Sequence, residues 1–329
     1  MNRILSLATI IIAAASLAFG QTKQASANSQ TAERSLAERL GYARDAKLLI
    51  VNGDDLGMAH SIDAASIKAL ESGLVTSGSV MVPCPWFLEI ADYAKSHADA
   101  DLGVHLTLTS EWALYRWGPV LPKDRVGSLF DQSGYLYPTE DVAAAHIDPR
   151  EVEAELRAQI ERARSYGIQP THLDSHMNTL FQNKALFETL LRVARENHLP
   201  VRVSKEELTS MPFLPSILQP EDILIDRIVT IDADVALERW TEFYTDALKK
   251  LPPGVTEMVI HLAFDDEEMR AATINHPNWG AAWRQRDFDF FTSEAFRKLL
   301  EENHIKLIKW REIGQLLTKA HTELRNKYR

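Results

Sequence analysis

The chain has 329 residues, of which 45% are hydrophobic and 25% charged, a composition typical of a folded globular protein. This composition excludes disordered, collagen-like and coiled-coil chains. The formal net charge is -10 and no stretch is densely basic, which argues against nucleic acid and anionic membrane surfaces as partners. Because Cys84 is the single cysteine, any metal must be held by His, Asp or Glu.

The N-terminal segment has the pattern of a secretory signal. Asn2 and Arg3 lead into an uncharged apolar run over residues 4–19, and small-residue cleavage patterns end at Gly20 and at Ala27. An uncleaved membrane anchor is the alternative, but a spanning helix needs about 20 apolar residues. We therefore assign residues 1–27 to a signal peptide and leader. A secreted or periplasmic protein without stable membrane insertion after cleavage is expected.

The rest of the chain divides into a leader, one large domain and a tail. Residues 28–45 predict a flexible leader, residues 46–318 a single domain, and the basic residues 319–329 a solvated tail. No Pro/Gly/Ser-rich linker and no internal repeat divides the domain. The sequence leaves the oligomeric state open, and a homodimer is compatible with it.

Short β-rich runs alternate with amphipathic helical stretches, which is the pattern of parallel strands joined by crossover helices. The predicted strands cover residues 47–52, 77–82, 102–106, 171–174, 201–203, 258–261 and 305–308, with a further strand within 223–231. The predicted helices cover residues 62–72, 86–96, 149–166, 184–197, 235–251 and 293–303, and residues 112–146 read as a long loop. Seven or eight parallel strands favour an α/β fold of the TIM-like (β/α) barrel type over an open sheet.

Side chains suited to acid-base and metal chemistry lie near the ends of several predicted strands. Because the carboxyl ends of parallel strands meet at one rim, residues more than 200 positions apart can converge there. These residues are Asp54, Asp55, His105, His172, Asp174, His176 and His261.

Each of these residues also has a purely structural interpretation. Asp54 and Asp55 can form an acidic turn with a helix cap, and His105 or His261 can be a buried core residue bonded to a carbonyl. Adjacent carboxylates after a buried strand disfavour joint ionisation unless a cation or a shared proton relieves them. Two imidazoles with one carboxylate are a recognised set for a divalent ion with open positions, so the group as a whole favours a metal site.

Five segments resemble, in the same order, the motifs of the YdjC-type carbohydrate deacetylases. They are LIVNGDDLG at 49–57, VTS at 75–77, GVHLT at 103–107, PTHLDSH at 170–176 and MVIHLAF at 258–264. The resemblance covers most of the chain from about Lys47 to Leu316. It implies an irregular β/α barrel related to polysaccharide deacetylases. It also implies a divalent-metal hydrolase that removes acetyl groups from N-acetylated sugars, such as chitin-derived oligosaccharides.

The resemblance further implies a role for each main residue. Asp55, His105 and His176 would hold one divalent ion, Asp54 would be the general base, and His261 would donate a proton to the departing amine. The family suggests Mg²⁺, while an Asp/His/His donor set suits Zn²⁺ equally well. The ion would polarise the acetyl carbonyl and lower the pKa of its bound water while Asp54 accepts a proton.

Supporting roles are implied for His172 and Asp174, and Arg202 can orient a substrate or pair with an active-site carboxylate. Met177, Asn178 and Leu180 stand where some relatives carry further histidines, which affects the sugar pocket more than the metal site.

Two aromatic-rich insertions are candidate sugar-binding segments, because sugar rings stack on aromatic faces. The alternative is that several of these rings simply cover the end of the barrel. The candidates are Trp112, Tyr115, Trp117, His276, Trp279 and Trp283.

Two other functions stay open at this point. A metal-free glycoside hydrolase could use Asp54 and Asp174 as its paired acids, although it leaves the strand-end histidines unexplained. A carbohydrate-binding protein without catalysis would keep the aromatic residues and would not need a complete metal set. All three functions imply a small carbohydrate as the partner.

Overall fold

Seven parallel strands form the centre of the molecule in a computed structural model that describes residues 34–233 and 235–317. The predicted signal segment and the basic tail lie outside the described residues. The strands within those ranges are Lys47–Leu56 (β1), Ser77–Val80 (β2), Leu102–Leu106 (β3), Leu173–Ser175 (β4), Arg227–Thr230 (β5), Gly254–Ile260 (β6) and Ile305–Leu307 (β7).

Helices connect and cover these strands. Several begin at side-chain caps visible in the sequence: Asp148 accepts from the backbone of Arg150, and Asn183 accepts from that of Leu186. The helices are Leu36–Arg39 (α1), His60–Glu71 (α2), Phe87–Ser96 (α3), Glu140–His146 (α4), Pro149–Ser165 (α5), Lys184–Asn197 (α6), Glu207–Ser210 (α7), Trp240–Lys249 (α8), Glu267–Ala272 (α9), Ala281–Phe291 (α10) and Glu294–Glu302 (α11). Short 3₁₀ turns cover Gly127–Leu129, His176–Phe181, Leu214–Ser216 and Leu237–Arg239. No helix in the described part of the chain is long and apolar enough to cross a membrane.

The strands pair in the order β4-β3-β2-β1-β6-β5, and every pairing is parallel. The seventh strand, β7, pairs with the first residues of β1, before β1 reaches β2. All carboxyl ends therefore open on one rim, as the sequence analysis requires. β1 and β6 are buried along almost their whole length, so their apolar side chains form the centre of the core.

The sheet is not a regular closed barrel. Its edge strands β4 and β5 are joined through the intervening segment by two isolated parallel bridges, Leu173 to Val201 and Ser204 to Ile225. The α/β parallel architecture is thus confirmed, whereas the predicted strand over residues 201–203 is reduced to a bridge. The strand count within the described ranges is seven, and the barrel is TIM-like without a continuous closing ladder.

Several local predictions need correction. The leader is not flexible throughout, because Ser35 and Glu38 form a capping box that starts α1, and Leu36 is buried in the core. The predicted loop over 112–146 contains α4, and the predicted helix over 235–251 begins as a 3₁₀ turn. Helices α9 and α10 were not predicted.

Candidate metal centre and active site

A bulge in β1 brings two successive aspartates to the same cavity. Side chains normally alternate between the faces of a strand, so Asp54 and Asp55 would point apart in a regular β1. The pairing with β2 shifts register between Gly53 and Leu56, and Asp55 adopts a left-handed φ of 70°. This irregularity turns both carboxylates toward one cavity, where both line the wall.

Asp55, His105 and His176 meet at the floor of this cavity. Asp55 Oδ1 lies 3.4 Å from His105 Nε2 and 3.3 Å from His176 Nδ1, and the two nitrogens are 3.2 Å apart. All three residues are buried, and Asp55 Oδ1 has no hydrogen-bond partner among the described residues. Donors about 2.1 Å from a tetrahedral ion lie about 3.4 Å from one another, so this spacing fits a divalent cation. These residues could therefore hold one.

Each candidate ligand has a second polar atom that does not face the shared point, and this atom bonds to another residue. Asp174 Oδ1 accepts from His105 Nδ1 at 2.8 Å, and Glu111 Oε2 accepts from His176 Nε2 at 3.0 Å. Arg284 Nη2 donates to Asp55 Oδ2 at 2.6 Å. Because carboxylates can only accept, the histidine protons are placed on these outer nitrogens. When each ring carries a single proton, its inner nitrogen has a lone pair for an ion.

The charges around the three ligands shift their pKa values in opposite senses. Burial opposes ionisation of Asp55, but Arg284 and the two imidazoles hold the pKa of that carboxyl well below its usual range. Burial also disfavours charged imidazoles, yet the carboxylates of Asp174 and Asp54 raise the pKa of His105 to about 10. Glu111 and Asp55 raise that of His176 to about 9 against burial. Protons and a cation therefore compete for the same nitrogens.

Asp54 is held beside this group by hydrogen bonds from three residues. Asn52 Nδ2 donates at 2.7 Å and Ser79 Oγ at 3.1 Å, both to Oδ1. Arg202 Nη1 lies 2.9 Å from both Asp54 oxygens and 2.9 Å from Asp174 Oδ2. Asp54, Asp174 and His105 also converge. In that second group His105 Nδ1 is bonded to Asp174 and both Asp54 oxygens to Arg202, whereas Asp55 Oδ1 has no partner among the described residues. The Asp55 group is therefore the better cation site.

His261 follows β6 and also lines the cavity. Its backbone N–H donates to Asp287 Oδ2 at 2.9 Å, which fixes the chain at this point. The ring Nδ1 is buried and has no partner among the described residues. Burial lowers the pKa of His261 to about 4, so the ring is neutral near pH 7. A neutral imidazole cannot act as the predicted proton donor until it has gained a proton.

His172 lies apart from the predicted site. Its ring stacks on Trp310 with centroids 5.0 Å apart, and Nδ1 lies 3.1 Å from Thr171 Oγ1. A Cβ built on Gly103 would come within 2.4 Å of this ring. His172 packs between β3 and Trp310 and does not line the described cavity, and its supporting role at the metal stays a prediction.

The cavity above the aspartates has a volume of about 850 Å³, enough for a small oligosaccharide unit. Trp112 and Trp279 line it, as does His276, whose ring meets that of Trp112 edge-on at 5.1 Å. Tyr115 and Trp117 are not part of the described lining. Their polar atoms bond to backbone carbonyls of Met58 and Thr109, so they cover the barrel end.

Glu111 and Arg284 belong to the site but were not predicted from the sequence. Glu111 comes five residues after the end of β3, so an acidic residue shortly after a strand end was the available signal. Arg284 lies on α10, 229 positions from its partner Asp55, and no spacing pattern connects them.

The chain matches the family model described as "YdjC-like protein" over residues 48–302. It is 35% identical to a carbohydrate deacetylase of Thermus thermophilus, across 86% of this chain and 99% of that protein. It is 28% identical to a carbohydrate deacetylase of Enterococcus faecalis, across 82% and 98% of the two chains. A crystal structure from Enterococcus faecalis, named as a proposed cellobiose-phosphate cleavage protein, superposes with a TM-score of 0.68 at 28% identity and covers 82% of this chain and 99% of that chain. The chain therefore belongs to the YdjC-like protein family.

Proposed function

We propose that this protein is a carbohydrate N-deacetylase, a hydrolase that cleaves the acetamide C–N bond of amino-sugar oligosaccharides with the help of one divalent ion. The observation that carries this proposal is the convergence of Asp55, His105 and His176 on one point at the floor of an open cavity. The relatives named carbohydrate deacetylase support the same reaction class.

Asp55, His105 and His176 would hold the ion. A divalent cation at this position supplies Lewis-acid polarisation of an acyl oxygen and acidifies water. Two imidazoles and a carboxylate suit Zn²⁺, whereas the family resemblance favours Mg²⁺, and metal analysis of the purified protein decides between them.

Asp54 is the proposed general base. Its carboxylate is aimed into the cavity beside His105, with Nε2 of that ring 3.8 Å from Asp54 Oδ2. Hydrogen bonds from Arg202 and Asn52 restrict rotation of the Asp54 side chain. The carboxylate is therefore already oriented to accept a proton from an attacking water.

His261 is the proposed donor to the leaving nitrogen. Deacetylation must end with a proton on the amine, and the ring of His261 borders the cavity with a free nitrogen. Since burial keeps this ring neutral, we propose that it gains its proton during the reaction cycle and then passes it to the amine.

The sugar is proposed to lie between Trp112 and Trp279. Both residues line the cavity, and Trp279 is stacked on Trp283 with centroids 5.3 Å apart, which holds its plane. Aromatic faces of this kind bind the apolar faces of sugar rings.

A glycoside hydrolase with Asp54 and Asp174 as paired acids fits the structure less well. Asp174 is fully buried between Arg202 and His105 and is not part of the described cavity wall. It therefore cannot reach a glycosidic oxygen.

The test is acetate release from N-acetylated oligosaccharides. We expect acetate to appear without new reducing ends, to stop when a chelator is added and to return when a divalent ion is restored. New reducing ends without acetate would instead establish glycoside hydrolysis. Binding without either product would establish a carbohydrate-binding protein.

We also propose that the protein acts outside the cytoplasm. The apolar run over residues 4–19 and the two cleavage patterns support this location. N-terminal sequencing of the protein exported by its host tests it, with new termini expected near residue 21 or 28. An unprocessed cytoplasmic protein would contradict it.

A further inference from the structure

Acidic side chains outnumber basic ones in the wall of the cavity. Its described wall contains six carboxylates and two guanidinium groups, those of Arg202 and Arg284, and no lysine. The acidic residues are Asp54, Asp55, Glu111, Glu140, Glu206 and Glu207.

Both arginines are already engaged. Arg202 is buried and lies 2.9 Å from Asp54 and from Asp174, while Arg284 is 1% exposed and lies 2.6 Å from Asp55. Arg284 Nη1 has no hydrogen-bond partner among the described residues, but this atom is buried, and Arg202 is only 7% exposed. Neither guanidinium therefore offers an accessible edge to an incoming anion. The two arginines therefore offset part of the negative charge in the inner half of the cavity, and a divalent ion would offset the rest.

The outer half keeps negative charge. Glu206 pairs with Arg227 at 2.8 Å, and Glu207 accepts from the backbone of Ser204 at 2.5 Å. Neither Glu140, at the start of α4, nor Glu207 forms an ion pair with any residue that the structure describes. A substrate that enters the cavity therefore passes carboxylates whose charge is not neutralised.

From this charge distribution we infer that the cavity selects amino sugars that are neutral or positively charged and discriminates against sugars that carry a phosphate or carboxylate group. The inference rests on the proposed deacetylase function and specifies its substrate class. A phosphate monoester would meet like charges and find no accessible guanidinium or ammonium group in the described wall, whereas an ammonium left by an earlier deacetylation would be attracted. The chain would thus differ from a protein built to act on a sugar phosphate.

The test compares three forms of one disaccharide: diacetylated chitobiose, its 6-phosphate and its mono-deacetylated form. At low ionic strength we expect kcat/KM for acetate release from the phosphate to be about ten-fold lower than from the neutral sugar, mainly through KM. The mono-deacetylated form should be at least equal to the neutral one. The difference between the phosphate and the neutral sugar should shrink as salt screens the carboxylates.

Equal or faster hydrolysis of the phosphate would overturn the inference and leave the proposed function intact. Acetate release from none of the three sugars would overturn the proposed function, and the inference would fall with it. A difference that is independent of salt would also overturn the inference, because it would point to a steric cause.

A matched pair of variants isolates the electrostatic cause. Glu140→Gln removes one charge from the cavity wall, and Glu242→Gln removes one from the exposed surface of α8, where Glu242 pairs with Arg239. We expect Glu140→Gln to raise kcat/KM for the phosphate relative to the neutral sugar by about three-fold. Glu242→Gln should leave that ratio unchanged. The same ratio in both variants would contradict the inference.

Discussion

Each candidate ligand at the cavity floor bonds to the protein through one atom and presents the other toward a shared point. For His176 the outer partner is Glu111, and for Asp55 it is Arg284. This arrangement fixes the direction of each ligand before an ion arrives, and it fixes the tautomer of each imidazole once the inner nitrogen has lost its proton. Asp54 lies beside the group but is bonded to Arg202, so its role should be separable from ion binding.

Substitutions at the two kinds of residue should therefore have different effects. We expect His176→Ala to lose the ion together with activity, because two remaining donors hold a divalent cation poorly. Asp54→Asn should keep the ion while turnover falls by about 10²–10⁴, the usual contribution of a general base. Metal content by elemental analysis and acetate release are measured on both variants.

His146→Ala provides the control for the metal measurement, because this exposed histidine ends α4 outside the cavity wall. It should keep both metal and activity. A His176→Ala protein that is free of metal and fully active would contradict the assignment of the site.

Metal binding should also depend on pH. The pKa values of His105 and His176 are raised to about 10 and about 9, so both imidazoles carry an extra proton at pH 7. An ion must displace these protons, and its apparent affinity should rise with pH until it levels off near pH 9–10. Calorimetry in buffers of different ionisation enthalpy should detect release of about two protons per ion at pH 7. Binding without proton release would show that the imidazoles are neutral before the ion binds.

At the level of elements, the position of His105 depends on the packing of β3. Two residues earlier in the strand, Gly103 lies against the ring of His172, which in turn stacks on Trp310. A side chain at position 103 would collide with an aromatic ring held on both sides. The glycine is therefore required by close approach and not by an unusual φ.

Gly103→Ala should destabilise the protein by about 1–3 kcal/mol, the usual cost of overpacking, and weaken metal binding by displacing β3. Urea unfolding measures the free energy, and titration with the ion measures affinity. Gly127→Ala is the matched control, since a Cβ there meets nothing within 4 Å.

Combining Gly103→Ala with His172→Ala should recover part of the loss, because the second change removes the ring that the new methyl group strikes. Additive losses would show that His172 is not the cause.

For the whole molecule, the features that could be predicted are those that depend on nearby residues, such as helix caps and apolar periodicity. Helix α6 has the predicted bounds because Asn183 caps it and its apolar residues repeat with helical period. Convergence of Asp55, His105 and His176 followed from the parallel topology, which puts all strand ends on one rim. The contact between Arg284 and Asp55 depends on where α10 packs relative to the cavity. A local sequence pattern does not predict a contact between residues 229 positions apart.

The bulge in β1 could not be predicted either. The sequence of two adjacent aspartates in a strand does not indicate whether their side chains point to opposite faces or to the same side. Their directions depend on the register of β1 against β2. The loose closure between β4 and β5 has the same origin: pairing of residues 201–205 depends on where distant segments pack, and not on their own β propensity.

Because the ligands come from β1, β3 and the turn after β4, an ion should stabilise the fold as a whole. Binding that occurs in the native state alone raises the free energy of unfolding by about 2.7 kcal/mol when the free ion is 100 times its Kd. Thermal unfolding should therefore shift upward with the divalent ion and return on addition of a chelator. The His176→Ala protein should show no such shift, and sodium at equal ionic strength should not reproduce it. An equal shift in the wild type and the variant would show that stabilisation by the ion does not depend on His176, the candidate ligand in the turn after β4. The ion would then act elsewhere on the acidic surface.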